Sequence, residues 1–256
     1  MIAGKRWALL VAFSAGLAAT GCGDDDTDTE GGGPSPGALV DLGGQFVDSV
    51  TQAPVEGFEI CTLVPSGRVP GCAMTDAQGK ILATGFPTNS KVLFTGKKDG
   101  VQPILISGMT TTQNSTNALI LTMTEESVNA IMTASNLTLE PGKGAIVIFA
   151  GDEAGSDLVD ATGNGLAGVS FTVTPTATAA YLKGGSPPVL DAAATETDST
   201  GWAALLNLEP DTEYTVKFNH ASKSCAMETG YPGSSPDERK VPTMAGTFSY
   251  IIAGCQ

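Results

Sequence analysis

Histidine is almost missing from this chain of 256 residues, since His220 is the only one. A zinc hydrolase needs several nitrogen or carboxylate ligands that converge on the metal, and a two-histidine iron site needs a second imidazole. A Ser-His-Asp triad would have to use His220. The one Gly-x-Ser-x-Gly match, residues 33–37, lies in a proline-rich stretch outside any expected strand-to-helix turn. We therefore expect a non-enzymatic protein with no catalytic residue and no cofactor.

Basic residues are also scarce, with 13 Lys and Arg against 27 Asp and Glu and a formal net charge of −14. Nucleic-acid phosphates require neutralising Lys and Arg, so this balance argues against a nucleic-acid partner. It equally disfavours electrostatic adsorption to anionic lipid. Aromatic residues make up only 6%, whereas 32 Gly, 15 Pro and 41% hydrophobic residues favour a packed core of short strands joined by turns.

No apolar run near the N-terminus is long enough to cross a bilayer. Residues 7–19 form the apolar run there, and a spanning helix needs roughly 20 residues. Lys5 and Arg6 precede this run, and Ala19, Thr20 and Gly21 close it before Cys22. A secretory signal peptide has a basic N-terminal region, a short apolar stretch and small residues before the cleavage site, and this segment has all three.

The residues Ala19-Thr20-Gly21-Cys22 resemble the bacterial lipobox, in which small residues precede a cysteine that is diacylated before cleavage. This sequence departs from the family at Ala19, where leucine is usual. The resemblance implies that residues 1–21 are a lipoprotein signal peptide, that Cys22 carries the lipid, and that the membrane is the partner of this lipid. Gly23 after the cysteine favours the outer membrane by the same resemblance. The alternative is an ordinary signal peptide with Cys22 as an incidental thiol.

An acidic, glycine-rich stretch follows at 22–37, and it contains no apolar residue with which to fold after Cys22. We expect a solvated tether rather than a cation site, because no turn brings its carboxylates together. A second acidic group, at Asp152, Glu153, Asp157 and Asp160, raises the question of calcium. Its spacing does not match an EF-hand, so we predict no metal site and leave calcium binding open.

The folded part is predicted to be all-β, with two tandem antiparallel sandwiches at 38–107 and 143–256. Alternating apolar residues, as in 58–63, are typical of half-buried strands, and turn signals separate them. The connecting segment, 108–142, begins with a polar loop at 108–117. It then contains a short helix, for which Thr124 is the expected N-cap.

An internal repeat links the two sandwiches. The segment 51–57 matches 162–168 at an offset of 111, and the Thr-Asp-x-x-Gly motif at 75–79 matches the one at 197–201 at an offset of 122. The difference indicates an insertion in the second copy, at 181–192. Together these motifs resemble the carboxypeptidase regulatory-like family. That resemblance implies transthyretin-like or Ig-like sandwiches with an accessory, adhesive or scaffolding role.

Five cysteines are present, so assigning Cys22 to the lipid leaves an even number. In an oxidising compartment the remaining four suit the disulfides Cys61–Cys72 and Cys225–Cys255 rather than a zinc cluster, whose spacings they do not match.

The expected function is that of a cell-envelope lipoprotein acting as a non-catalytic binding or scaffold unit, with an envelope protein or glycan as partner. The alternative is a carbohydrate- or peptide-binding accessory subunit of a secreted enzyme or surface assembly. An exposed aromatic platform would favour this alternative, and the candidates for it are Trp202, Tyr181 and Tyr231.

Overall fold

The computed structural model describes residues 38–64, 71–152, 165–185, 188–226 and 231–256. Gly37–Gln256 form one compact unit. The first elements are β1 (Leu39–Asp48), β2 (Glu59–Val64), β3 (Cys72–Met74), β4 (Lys80–Pro87), β5 (Lys91–Lys98), β6 (Val101–Met109), β7 (Ser115–Thr122) and α1 (Glu125–Ala134). They are followed by β8 (Gly144–Gly151), β9 (Ser170–Thr174), β10 (Ala179–Lys183), β11 (Val189–Asp191), β12 (Trp202–Leu208), β13 (Glu213–Asn219), β14 (Cys225–Ala226), β15 (Glu238–Pro242) and β16 (Phe248–Cys255).

The all-β prediction with one short helix is confirmed for the described residues. Strand β5 shows why, since Val92 and Phe94 are buried and alternate with more exposed residues. Side chains in a strand point alternately to the two faces of the sheet, so this pattern buries one face only.

The strands form three sheets. A ten-stranded sheet has the order β11-β10-β12-β8-β16-β6-β5-β2-β3, with β14 paired to β16. Two three-stranded sheets, β4-β1-β7 and β15-β13-β9, pack against it. We call the ten-stranded sheet the central sheet.

The two small sheets cover opposite faces of the central sheet. One core contains Phe46 and Phe86 from the sheet β4-β1-β7, packed with Phe94 of the central sheet. The other core contains Val216 and Val241 from the sheet β15-β13-β9, packed among others against Ile148 and Ile251 of the central sheet. Tyr250 of β16 packs against the first core and the next residue, Ile251, belongs to the second, which places the two cores on opposite faces.

The last strand, β16, joins the two halves of the central sheet. It runs parallel to β8 over Phe248–Gly254 and parallel to β6 at Phe248 and Ser249. Strand β1 is also parallel to β7. The sheets are therefore mixed, and the purely antiparallel pairing expected from the sequence does not extend to these three pairs. Such long-range pairing depends on which distant strands meet, and local patterns do not encode that choice.

Helix α1 begins where the sequence predicts. Thr124 is the N-cap, and its hydroxyl accepts a hydrogen bond from the N–H of Ser127 at 3.1 Å. Glu125 and Glu126 lie in the first turn, where negative charge stabilises the helix dipole. Val128 and Met132 are buried, so this face of the helix packs onto the central sheet.

One local expectation is corrected. The loop expected at 108–117 is shorter, because β6 continues to Met109 and β7 already begins at Ser115. The polar residues of β7 are tolerated because its first four residues are exposed, so they need no apolar character. The insertion at 181–192 contains strand β11 and part of β10, which extend the central sheet at one end.

The internal repeat has a structural basis in a buried threonine. In the first copy, the hydroxyl of Thr75 donates to the carbonyl of Val55 at 2.6 Å and accepts the N–H of Phe58 at 2.9 Å. Thr75 is 4% exposed, so these two bonds supply partners for backbone groups that would otherwise be buried without any.

The second copy repeats this arrangement. The hydroxyl of Thr197 donates to the carbonyl of Leu166 at 2.6 Å and accepts the N–H of Val169 at 3.0 Å. The glycines that end the two motifs, Gly79 and Gly201, have φ values of 71° and 70°. The repeat seen in the sequence is thus confirmed as a repeated hydrogen-bond geometry.

Candidate functional site

Both predicted disulfides are present. Cys61 is directly opposite Cys72 in the β2–β3 pair, with Cα atoms 4.0 Å apart, and Cys225 is opposite Cys255 in the β14–β16 pair, with Cα atoms 3.9 Å apart. Each disulfide joins a non-hydrogen-bonded pair of an antiparallel ladder. The Cα atoms of opposed residues approach most closely in such pairs. The second disulfide is buried, whereas Cys72 is exposed.

Cys22 lies outside the described residues, and its lipidation stays a prediction. Four of the five cysteines are paired in the two disulfides, so none of them is available to pair with Cys22 within one chain. Glu59 lies close enough to Cys61 and Cys72 for the three to resemble a metal cluster. These sulfurs are bonded to each other, however, and a cysteine binds metal as a free thiolate.

Of the other polar candidates from the sequence, the structure describes Asp152 and His220, and both contact Lys223. Glu153, Asp157 and Asp160 lie outside the described residues. Asp152 accepts a hydrogen bond from the ammonium of Lys223. His220 directly follows β13, and its Nδ1 accepts the backbone N–H of Ser222 and of Lys223 at 3.2 Å and 3.1 Å. This histidine closes a turn.

The three aromatic candidates lie in three different environments. Tyr181 is 4% exposed and stacks on Phe171 with ring centroids 5.6 Å apart. Tyr231 is equally buried, and the ammonium of Lys91 lies 4.4 Å from its ring centroid. Trp202 is half-buried against Phe149 and faces a cavity. They do not form the joint platform that would favour the carbohydrate-binding alternative.

The cavity beside Trp202 is the structure's main candidate site, and local sequence patterns did not reveal it. It has a volume of about 300 Å³ and lies between α1 and the face of the central sheet opposite the β15-β13-β9 core. The turn that follows β1 forms its exposed rim, where Val50 is 66% exposed. The cavity therefore lies where residues of both sequence-predicted modules and of the connecting segment meet. Ligand pockets are common at such junctions.

The described cavity wall contains no charged side chain. It consists of Ser49, Val50, Gln52, Leu121, Met123, Val128, Ile131, Met132, Val147, Leu182, Leu190, Trp202, Ala203, Ala204, Leu206, Phe248 and Tyr250. Only Ser49, Gln52, Trp202 and Tyr250 carry a polar group, and the first two belong to the exposed turn. The hydroxyl of Tyr250 is buried without a hydrogen-bond partner among the described residues, and burial raises its pKa above the ordinary value of 10. The wall is thus neutral and largely apolar.

A second, polar cleft lies next to the β12–β13 turn. Its volume is about 530 Å³, and hydroxyl and amide groups of Thr138, Thr176, Thr178 and Asn207 contribute to its wall. The side chain of Asn207 bridges this region, since it accepts the N–H of Glu140 and donates to the carbonyl of Thr138. The amide is therefore already occupied in holding the segment after α1.

A half-buried arginine lies at the contact between two sheets. Arg239 of β15 donates through Nη2 to the carbonyl of Ser107 in β6 at 2.9 Å. Burial lowers the pKa of this guanidinium to about 10, so Arg239 keeps its charge at neutral pH. This contact ties the sheet β15-β13-β9 to the first half of the central sheet.

Comparisons with known proteins show no family and find only weak structural similarity. No protein-family model matches the chain, and no curated protein does. The minor pilin GBS52 of Streptococcus agalactiae is 13% identical with a TM-score of 0.28, over 84% of this chain and 95% of the pilin. The shaft pilin SpaA of Lactobacillus rhamnosus GG is 11% identical with a TM-score of 0.25, over 85% of this chain and 97% of the pilin.

The TIE protein of Bacillus anthracis is 12% identical with a TM-score of 0.27. The alignment covers 85% of this chain and 34% of that protein, so the present chain spans about a third of its length. Likeness at this level carries no functional argument. Within the described ranges, no helix is both long and apolar enough to cross a membrane.

Proposed function

We propose that this protein is a cell-envelope lipoprotein, held to a membrane by lipid on Cys22, whose disulfide-bonded β body is a non-catalytic binding or scaffold unit. The observation that carries the proposal is the cysteine pairing. Two formed disulfides are typical of proteins exported to an oxidising compartment, which agrees with a secretory leader. They also leave Cys22 as the one cysteine without a disulfide partner in the chain.

The scaffold role is supported by how the body is held together. Strand β16 joins both halves of the central sheet, and the buried Cys225–Cys255 disulfide fixes the end of that strand. Arg239 adds a contact between sheets. A body held in this way presents its surfaces in a fixed arrangement, as a scaffold requires. The partner proposed from the sequence is an envelope protein or glycan, and lipid supplies the contact with the membrane.

Membrane fractionation tests the anchor. The wild-type chain is expected in the membrane fraction and in the detergent phase after phase separation, because several acyl chains together give stable anchoring. The Cys22→Ala variant is expected in the soluble fraction. The double variant Cys61→Ala/Cys72→Ala is the matched control, since it also loses cysteine but should stay with the membrane. Retention of Cys22→Ala in the membrane would contradict the proposal.

The scaffold part has a separate test. Intact envelopes are crosslinked in separate experiments with two different reagents, and this protein is then purified. Both experiments should yield the same partner, in an amount comparable to that of the protein itself. The absence of any reproducible partner would count against the scaffold role while leaving the anchor unaffected.

A further inference from the structure

We propose that the cavity beside Trp202 binds one uncharged hydrocarbon chain, such as the chain of a fatty alcohol or an acylglycerol. This site does not depend on lipid at Cys22, and the ligand is a molecule separate from the protein. Volume is the first argument. An apolar protein cavity of roughly 150 Å³ is large enough to hold benzene, and this one is about twice that size. It also falls at the lower end of the range for ligand pockets.

The chemistry of the wall selects an apolar ligand. Leu121, Val128, Phe248 and Leu206 come from four different elements and meet around the cavity. An apolar cavity of this kind holds water poorly, because water there finds few hydrogen-bond partners. A hydrocarbon chain would fill the space and bury apolar surface, at roughly 25 cal/mol per Å².

The side chains of the cavity wall can also adapt to the shape of a hydrocarbon ligand. Met123 lies near the end of β7 and Met132 lies in α1, and both line the cavity. Methionine is unbranched and polarisable, and so fits irregular or variable ligands. Trp202, on β12, adds a flat apolar surface to the wall.

Charge at the rim argues for an uncharged ligand. Asp48 directly precedes the rim turn, and its carboxylate accepts the N–H groups of Val50 and Thr51 at 3.1 Å and 2.6 Å. The whole chain is strongly acidic. A fatty-acid carboxylate at this rim would meet like charge, whereas an alcohol can form hydrogen bonds with the Ser49–Gln52 turn without repulsion. The geometry therefore favours a neutral chain over its anionic analogue.

The chain contains a built-in reporter for this test. It has two tryptophans, Trp7 and Trp202, so the full-length variant Trp7→Phe/Cys22→Ala keeps only the one that lines the cavity. Titration with bromododecanol should quench Trp202 fluorescence in a saturable way, because bromine quenches only at close range. Bromododecanoate should quench with weaker affinity. Quenching that rises linearly with concentration, or equal affinity for both probes, would contradict the proposal.

Variants of the wall locate the binding. Ala204→Phe fills the cavity and should abolish the saturable component. Since this change can also disturb folding, Val50→Asp at the exposed rim is the second variant, and it should weaken bromododecanol binding several-fold. Leu82→Asp is its matched control, because Leu82 is similarly exposed, at 57%, but does not line the cavity. Equal binding by Val50→Asp and Leu82→Asp would overturn the assignment of the site.

A last experiment distinguishes a separate hydrocarbon ligand from the protein's own lipid. The protein with native Cys22, purified from membranes, should bind bromododecanol as the Cys22→Ala form does. If only the Cys22→Ala form binds, the cavity is already filled by the protein's own lipid, and the proposal of a separate ligand is wrong.

Discussion

At the scale of single residues, the fold requires glycine where a repeat motif ends, as at Gly201. Gly201 has φ of 70°, and a Cβ there would lie 2.3 Å from the carbonyl oxygen of Ala150. Gly100 has φ of 75° with open space around it. Gly100→Ala should cost about 1 kcal/mol from its left-handed backbone alone. Gly201→Ala should cost at least about 1 kcal/mol more, because the backbone must also move.

Urea unfolding of the two glycine variants measures this difference directly. The wild-type protein and both variants are compared at the same pH, and the midpoints are converted with a common slope. Equal losses for Gly100→Ala and Gly201→Ala would show that the close approach at Gly201 does not constrain the fold.

Asp198, in the second copy of the motif, makes stability depend on pH. Burial raises its pKa, but hydrogen bonds from Thr200 and from the N–H of Gly184 outweigh that effect, so the pKa lies below the ordinary 3.8. A lowered folded pKa means that the carboxylate stabilises the fold above about pH 4. This contribution is lost as the pH falls through the folded value.

The Asp198→Asn variant should therefore have a lower free energy of unfolding than the wild type at pH 7. This difference in free energy of unfolding, called the gap below, should close as the pH falls below about 4. Urea unfolding at a series of pH values measures the gap. Asp99→Asn, at an exposed turn, controls for the loss of one negative charge from an acidic protein. A gap for Asp198→Asn that stays constant down to pH 2 would contradict this account.

At the scale of elements, the two disulfides should contribute differently. Cys61 and Cys72 are 11 residues apart, whereas Cys225 and Cys255 are 30 apart. A longer closed loop removes more entropy from the unfolded chain, by about 1 kcal/mol for this difference in length. Cys225→Ser/Cys255→Ser should therefore lower the free energy of unfolding more than Cys61→Ser/Cys72→Ser.

Burial reinforces that order, because the serines at 225 and 255 would introduce buried hydroxyl groups. The comparison is made by urea unfolding under non-reducing conditions, with the other disulfide intact in each variant. A larger loss for the Cys61 and Cys72 variant would contradict the order.

The elements also show what local patterns can and cannot predict. The N-cap at Thr124 and the Thr-Asp-x-x-Gly turns of the repeat were predictable, because each depends on neighbours in the sequence. The parallel position of β16 between β6 and β8 was not, since it depends on strands more than a hundred residues apart in sequence. The cavity was missed for the same reason, since its wall comes from elements distant in sequence.

At the scale of the whole molecule, the central sheet explains how one body can have two cores. Each half of the sheet is covered on a different face, so the uncovered part of one face is available for α1 and the cavity beside it. The two predicted sandwiches thus share one continuous sheet. This arrangement suits a protein that presents fixed surfaces at the end of a tether, which is the role proposed above.

The N-terminus of the purified protein tests the central claim most directly. Mass spectrometry of the N-terminal peptide from membrane-purified protein should show a chain that begins at Cys22, with acyl chains on that residue. An N-terminus at another residue, or Cys22 with a free thiol, would contradict the account of this protein as a lipid-anchored envelope protein.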